Sequence, residues 1–373
     1  ADKIIKENKS MADNSLEVKQ YAYLYKYDER NRCIRKRLPG CDWIYYVYDR
    51  TDRLIFTQDG ESRKKHEWIY SIPDALGRIV QTGTCRNTDI SNENYKDKLV
   101  IGTYNVEKGY SFSDFIPENR RCFMSNYYDN YDFLTNRNKE LVYEERPGYG
   151  KRYNVNDYSA KGLLTGTYVN TIPAGWEGAL DEYSALYYDN RGRLIQSRKS
   201  RMSGEAFDNE YLAYNFQGQP VKRLHEHLMT DINQISELYS YEYDHAGRLI
   251  EIRHKLNEGN EVVIARNTYD ELGRLISEQA NGQEGLQTDY SYNIRSWTTN
   301  LNNSVYRESI EYNNIGNVIY MNEYRHSKRP QYYWEVSMEY DDLSRMTSYA
   351  DAGYGAAPTT FFEYDKHGNI IYR

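Results

Sequence analysis

The amino-acid sequence predicts an all-β protein, a long succession of antiparallel β-hairpins joined into one curved sheet. Three observations lead there. Tyrosine is abundant, 41 of 373 residues against 9 phenylalanines and 5 tryptophans. Tyrosines also alternate along the chain, as in Tyr21, Tyr23, Tyr25 and Tyr27 or in Tyr239, Tyr241 and Tyr243, which is the period-2 signature of a strand with one aromatic face. Finally, a short motif, Tyr-Asp-x-x-Gly-Arg-Leu, recurs at the intervals of a repeat architecture.

Composition fits a thin sheet better than a thick-cored enzyme. Only 39% of residues are hydrophobic even with tyrosine counted, 28% are charged, and the mean hydropathy is −0.91. Such polarity normally points to disorder, because the chain cannot bury enough apolar surface to offset ordering entropy. An aromatic content of 15% argues the other way. Tyrosine has high strand propensity and joins an apolar ring to a polar tip, so it suits a sheet that is only partly buried on either face.

The motif is clearest at Tyr188-Asp189-Asn190-Arg191-Gly192-Arg193, at Tyr243-Asp244-His245-Ala246-Gly247-Arg248 and at Tyr269-Asp270-Glu271-Leu272-Gly273-Arg274. Weaker copies begin at Tyr27-Asp28, Tyr48-Asp49, Tyr158, Tyr214, Tyr292, Tyr312 (with Gly316), Tyr340-Asp341 and Tyr364-Asp365 (with Gly368); Asp74-Ala75-Leu76-Gly77-Arg78 keeps all but the tyrosine. From Tyr188 onward the starts lie 20 to 29 residues apart, so loops of different length separate the units. Each residue type has a local reason. Asp at the first position of a type I turn bonds its own backbone two residues on, and Gly three residues later supplies the positive φ that returns the chain to a strand. Tyrosines lead into the turn, Arg-Leu-Ile leads out of it, and looser turns such as Glu258-Gly259-Asn260 and Asn281-Gly282 join one unit to the next. About 20 strands exceed what one flat open sheet tolerates, so the sheet must curl or split. No helix is expected anywhere; residues 228–238 are read as strand or loop.

The expected organisation is a loose segment at 1–15 and a single repeat domain at 16–373. Within it, 16–86 holds N-terminal repeats, 87–150 degenerate or specialised repeats with longer loops, and 151–373 regular repeats. The 85 residues between the starts at Pro73 and Tyr158 lack a clean motif.

Several functional classes are set aside. No apolar run reaches the length of a membrane-spanning helix. The start at Ala1 lacks an initiator Met and the apolar core of a signal peptide, and reads as a mature or trimmed chain. A net charge of −7 and a pI of 5.7 offer no basic field for nucleic acid. Cys33, Cys41, Cys85 and Cys122 form no Cys-x-x-Cys pair, and a Cys33–Cys41 disulfide is allowed but not implied. His225-Glu226-His227 is the nearest approach to a metal site, since both imidazoles project from one face of a strand, but no third ligand is visible; no metal or cofactor is assigned. Neither a phosphate-binding loop nor a nucleophile elbow occurs. Arg193, Arg248 and Arg274 are read as structural, pairing with a neighbouring repeat's Asp or stacking on its Tyr.

With the motif in place, the chain resembles the YD-repeat family of Rhs (rearrangement hot spot) proteins, which includes bacterial polymorphic toxins, the B and C components of insecticidal toxin complexes, and teneurin ectodomains. The resemblance rests on twelve copies between Tyr27 and Ile371. It implies a hairpin strip that winds into part or all of a spiralling hollow β-shell, secreted or at the cell surface, enclosing a C-terminal cargo that a proteolytic core releases. Tyr127-Tyr128-Asp129-Asn130-Tyr131-Asp132-Phe133-Leu134 resembles a segment found near the start of secreted bacterial members. That core uses Asp-Pro motifs, and none of the eight prolines here follows an aspartate, so self-cleavage is not assigned to this chain. The leading expectation is a non-enzymatic structural section that encloses or supports a downstream part of the same polypeptide or a cargo protein. A module that binds glycans or proteins through tyrosine-rich strands is the alternative, and a carbohydrate-active enzyme the third reading.

Overall fold

The computed structural model describes residues 16–86, 89–107, 109–114, 118–135, 139–152, 160–171, 180–201, 206–229, 232–325, 332–352 and 359–372. Segment 1–15 and Tyr158 therefore lie outside the described residues. The described chain is almost all antiparallel β, with 23 strands hydrogen-bonded into one sheet. It divides into two compact units, Ala1–Ala213 with His225–Ile235, and Tyr214–Leu224 with Ser236–Arg373.

Among the described residues, eleven turns repeat one hydrogen-bond pattern. The N–H of the first turn residue donates to the carbonyl four residues on, and the N–H of the fourth donates back to the first, as in Asp270 N to Arg274 O at 2.9 Å and Gly273 N to Asp270 O at 3.0 Å. Ladder register slips beside these turns, for instance between Thr268 and Tyr269. A type I turn followed by a left-handed residue in a bulge gives this geometry, and the left-handed position explains the glycine. Gly273 has φ +85°. In four turns a residue with a Cβ takes that position, Asn31, Asp52, Ser296 and Ser344, with φ from 58° to 64°.

In the first unit, sequence neighbours pair until Ile79–Arg86, which pairs with Glu118–Tyr128 rather than with the next strand. The skipped strands Ile101–Asn105 and Gly109–Ser113 form a separate two-stranded sheet. With Ile90, Tyr95 and Val100, this excursion covers a sheet face carrying Ile55, Phe56, Tyr70, Ile72 and Val80, all nearly inaccessible to solvent. A second long connection, 129–163, joins Glu118–Tyr128 to Leu164–Thr171. Its Phe133, Leu134 and Leu141 are buried. Tyr131 stacks on Tyr187 at 4.7 Å, and the Tyr187 hydroxyl donates to Leu141 O at 2.7 Å. Gly166 has no side chain to obstruct the Phe133 ring, which stacks on Tyr127 at 4.2 Å.

In the second unit each strand from Ser236 onward pairs with the next in sequence, through Leu249–Leu256, Val262–Tyr269, Leu275–Ala280 and on to Met346–Asp351. Glu363–Tyr364 and Ile370–Tyr372 form a last, separate hairpin.

One expectation needs correction. Short α-helices occur at Leu16–Tyr21, Gly60–Lys64 and Asn92–Tyr95. The second and third are started by caps inside connecting segments, Asp59 accepting from Ser62 N and Ser91 from Asn94 N, and such caps satisfy backbone donors that no neighbouring strand reaches. All four cysteines are free, so Cys33 and Cys41 are not bonded. Residues flanking 230–231 are strand, in Pro220–Met229 and Ile232–Tyr243.

Ser344 is exposed and left-handed, with φ 61°. Replacing it with glycine relieves the left-handed cost, so Ser344→Gly is expected to stabilise the protein by about 1 kcal/mol in urea unfolding, and Gly273→Ala to destabilise it by a similar amount.

Candidate functional site

The repeated residues meet along the row of turns. In each full repeat one aspartate oxygen accepts two turn N–H groups, as Asp270 Oδ1 does from Leu272 N and Arg274 N at 3.0 and 2.8 Å. Its other oxygen takes the arginine Nε, at 2.6 Å for Arg274. The same carboxylate-to-Nε contact joins Asp28 to Arg32, Asp49 to Arg53, Asp74 to Arg78, Asp189 to Arg193, Asp244 to Arg248 and Asp341 to Arg345. Of the two expected contacts, stacking on the neighbouring repeat's Tyr is the one seen for Arg248 and Arg274; the aspartate their guanidinium holds is that of their own repeat, because a four-residue turn brings positions i and i+4 side by side.

The neighbour is reached by the remaining nitrogen. Nη1 donates to the first turn carbonyl of the next repeat, from Arg32 to Asp49 O at 3.3 Å, Arg53 to Asp74 O at 3.3 Å, Arg248 to Asp270 O at 3.2 Å, Arg274 to Asn293 O at 3.1 Å and Arg345 to Asp365 O at 3.4 Å. The guanidinium also lies over the next repeat's tyrosine, 4.8 Å from the Tyr269 ring centre for Arg248, 5.0 Å from Tyr292 for Arg274 and 4.7 Å from Tyr364 for Arg345. That tyrosine reaches back. Its hydroxyl donates to the carbonyl just after the preceding arginine position, from Tyr48 to Cys33 O, Tyr188 to Leu164 O, Tyr243 to Pro220 O, Tyr269 to Leu249 O, Tyr292 to Leu275 O, Tyr312 to Thr298 O and Tyr364 to Met346 O, all between 2.7 and 3.0 Å. Tyr27, at the first turn, is largely exposed, and the Tyr340 hydroxyl faces Met338 Sδ instead.

Charge is matched within ten of these eleven turns, all but the last. Where the first residue is Asn, the partner position loses its arginine: Asn215 with Gln219, Asn293 with Trp297, Asn313 (before Gly316) with Asn317. At the last turn Asp365 takes Asn369 Nδ2 at 2.9 Å. Burial by itself raises the Asp49 carboxyl, but hydrogen bonds from Arg53 and Thr51 outweigh it and hold it below its ordinary value of 3.8. Asp189 is lowered by the same balance through Arg193 and Arg191, and Asp244 chiefly by the Arg248 N–H.

One repeat is split, which sequence spacing hid. Asp129 N bonds Leu163 O at 3.1 Å, Asp129 Oδ1 accepts from Gly162 N at 2.7 Å, and Tyr188 returns to Leu164 O. Tyr128-Asp129 therefore opens a turn that Gly162-Leu163-Leu164 closes, and the copy assigned to Tyr158 supplies the closing half. Arg78 replaces the missing arginine from the preceding repeat, gripping Asp129 with two bonds of 3.0 and 2.6 Å and lying 4.3 Å from the Tyr128 ring centre. The Arg78 side chain is the main cause that lowers the Asp129 carboxyl.

The His-Glu-His segment divides as strand alternation requires. Glu226 is buried and held by Arg146 through two 2.7 Å bonds. His225 and His227 lie together on the other face.

The second unit also carries a shallow cavity of about 490 Å³ lined by Val221, Lys222, Tyr241, Glu242 and Arg253. Glu251 there is lowered chiefly by its hydrogen bonds from Arg266 and is also bonded by Arg253. Among the described residues no helix is long and apolar enough to cross a membrane.

No family model matches the chain, and no curated protein matches it. Among solved structures it is similar to the crystal structure of TcdB2-TccC3-Cdc42, with 14% identity and a TM-score of 0.44 over 93% of this chain and 19% of that one. It is also similar to TcdB2-TccC3, with 10% identity and a TM-score of 0.31 over 94% of this chain and 20% of that one. A third is TcdB2-TccC3 without its hypervariable C-terminal region, with 12% identity and a TM-score of 0.29 over 94% of this chain and 17% of that one. The chain thus spans about a fifth of the length of these structures' chains.

Asp49 is fully buried and its carboxylate sits 2.6 Å from Arg53 Nη2. Asp49→Asn turns an amide N–H toward that guanidinium and is expected to cost about 2–3 kcal/mol in denaturant unfolding. Since natural Asn turns lack the arginine, Asp49→Asn/Arg53→Gln should cost less than the sum of the two singles by roughly 1–3 kcal/mol; strict additivity would show that the pair is not coupled.

Proposed function

We propose that this chain is a non-enzymatic structural section of a YD-repeat shell, which encloses or supports another part of a longer secreted polypeptide or a cargo protein. One observation carries the reading. A stable domain packs at least two layers around a core, and the first unit does so with its own excursions. The second unit supplies a single layer: among its described residues, Leu224 and Val336 are the buried hydrophobic side chains, while Val262, Leu256, Tyr333 and Phe361 are each at least 42% exposed. Such a sheet fits a wall whose second layer comes from another segment.

The repeat chemistry supports the same role. Its charged groups are consumed by one another in building the wall, so the proposed mechanism is steric and electrostatic sequestration, with no group of this chain making or breaking bonds. The resemblance of the repeat to the Rhs family agrees with an extracellular or cell-surface setting and with a polypeptide cargo.

Hydroxyl-radical footprinting of residues 16–373 alone and of the natural full-length polypeptide separates a wall from an open module. Tyr333 and Phe361 are expected to be strongly shielded in the longer polypeptide. Equal reactivity in both would overturn the enclosing role.

A further inference from the structure

The first unit places three metal-ligating side chains together, and we propose that Asp208, His225 and His227 form a binding site for a borderline divalent cation, Zn²⁺ in the first instance. His225 and His227 are two apart on the strand Pro220–Met229, so alternation sets both on one face, with ring centres 4.0 Å apart. Asp208 comes from the strand Ala206–Tyr214, and its Oδ1 lies 2.6 Å from His227 Nδ1. One donor atom from each residue falls within 4.8 Å of the others. All three side chains are half-buried: anchored, yet open to an entering ion.

The donor set selects the cation. Two imidazole nitrogens and one carboxylate oxygen suit Zn²⁺ and other imidazole-seeking metals better than Mg²⁺ or Ca²⁺, which take oxygen. Zn–N and Zn–O bonds near 2.0–2.1 Å require donor atoms about 3.4 Å apart, so the site forms by opening the His227–Asp208 contact by less than about 1 Å and drawing His225 in. Three protein ligands leave a fourth position for water or for a side chain of a partner.

Neighbouring cations permit it. The Arg201 side chain contacts Asp208 through Oδ2, which leaves Oδ1 to the metal. Lys199 stands across the ladder from Asp208, but its ammonium is 2.8 Å from Glu182. Glu226 points to the opposite face and is paired with Arg146. A bound ion would therefore join two adjacent strands through the side of the sheet that Glu226 does not occupy.

The test uses untagged, metal-stripped protein titrated with Zn²⁺ in a calorimeter, with Co²⁺ absorption as a second readout. One ion per chain is expected, with the strong visible Co²⁺ band of a four-coordinate site. His225→Gln and His227→Gln should each weaken Zn²⁺ by more than the roughly tenfold that loss of an outer-shell partner produces, and His245→Gln, at an exposed turn, should change nothing. Asp208→Asn should weaken binding equally; if loss of the Arg201 contact unfolds it, the two histidine variants, checked by circular dichroism, decide. Absence of saturable binding, or binding that survives in the double His225→Gln/His227→Gln variant, overturns the site.

Discussion

The structure depends on a guanidinium that does two things at once. In each complete repeat it neutralises the aspartate of its own turn, and in Arg32, Arg248, Arg274 and Arg345 its last nitrogen and its flat face also hold the next turn. A point charge such as lysine offers no planar fork to divide between two hairpins. The tyrosine completes the exchange by returning its hydroxyl to the backbone just past the previous arginine, so consecutive hairpins are tied in both directions at one edge. The tyrosine-rich, aliphatic-poor composition follows. Rings and hydroxyls supply between hairpins the cohesion that a thick apolar core supplies within a globular domain.

The two units apply that device in different surroundings. In the first, the described residues of the excursions within 89–114 and 129–163 return over the sheet and help bury Ile55, Phe56, Tyr187 and Ile195. Burial on that scale gives the first unit a core of its own. In the second, strand follows strand with little interruption, and the side chains between turns remain half-exposed. Its order rests on the ladder of backbone bonds and on the turn edge.

Legibility in the sequence followed the range of the interaction. Asp-x-x-Gly announced a turn because the carboxylate and the left-handed residue act within four positions, and alternating tyrosines announced strands because the pleat has period two. What acts over longer separations was hidden. Asp129 and Gly162 belong to one turn, though 32 residues lie between them. Asp208 joins His225 and His227 because adjacent strands align them, and no spacing rule could have chosen it among 55 acidic residues. The arginines were read as structural, held by a neighbouring repeat's Asp or Tyr; the stacking on the Tyr is present, and the bond to their own aspartate was passed over. The short helices at Gly60–Lys64 and Asn92–Tyr95 carry local cap signals, Asp59 and Ser91, that the dominant strand pattern masked.

The central claim is that the turn edge holds the second unit's sheet together. Native-state hydrogen exchange tests it on amides that all donate to backbone carbonyls. Asp270 N and Asn293 N lie at the arginine-tied edge, while Asn257 N and Asn281 N lie at the opposite ends of the Asp244 and Asp270 hairpins of the same sheet. The account predicts slower exchange at Asp270 and Asn293, with the difference vanishing in Arg274→Gln. Equal protection at both ends, or faster exchange at the turn edge, would contradict it.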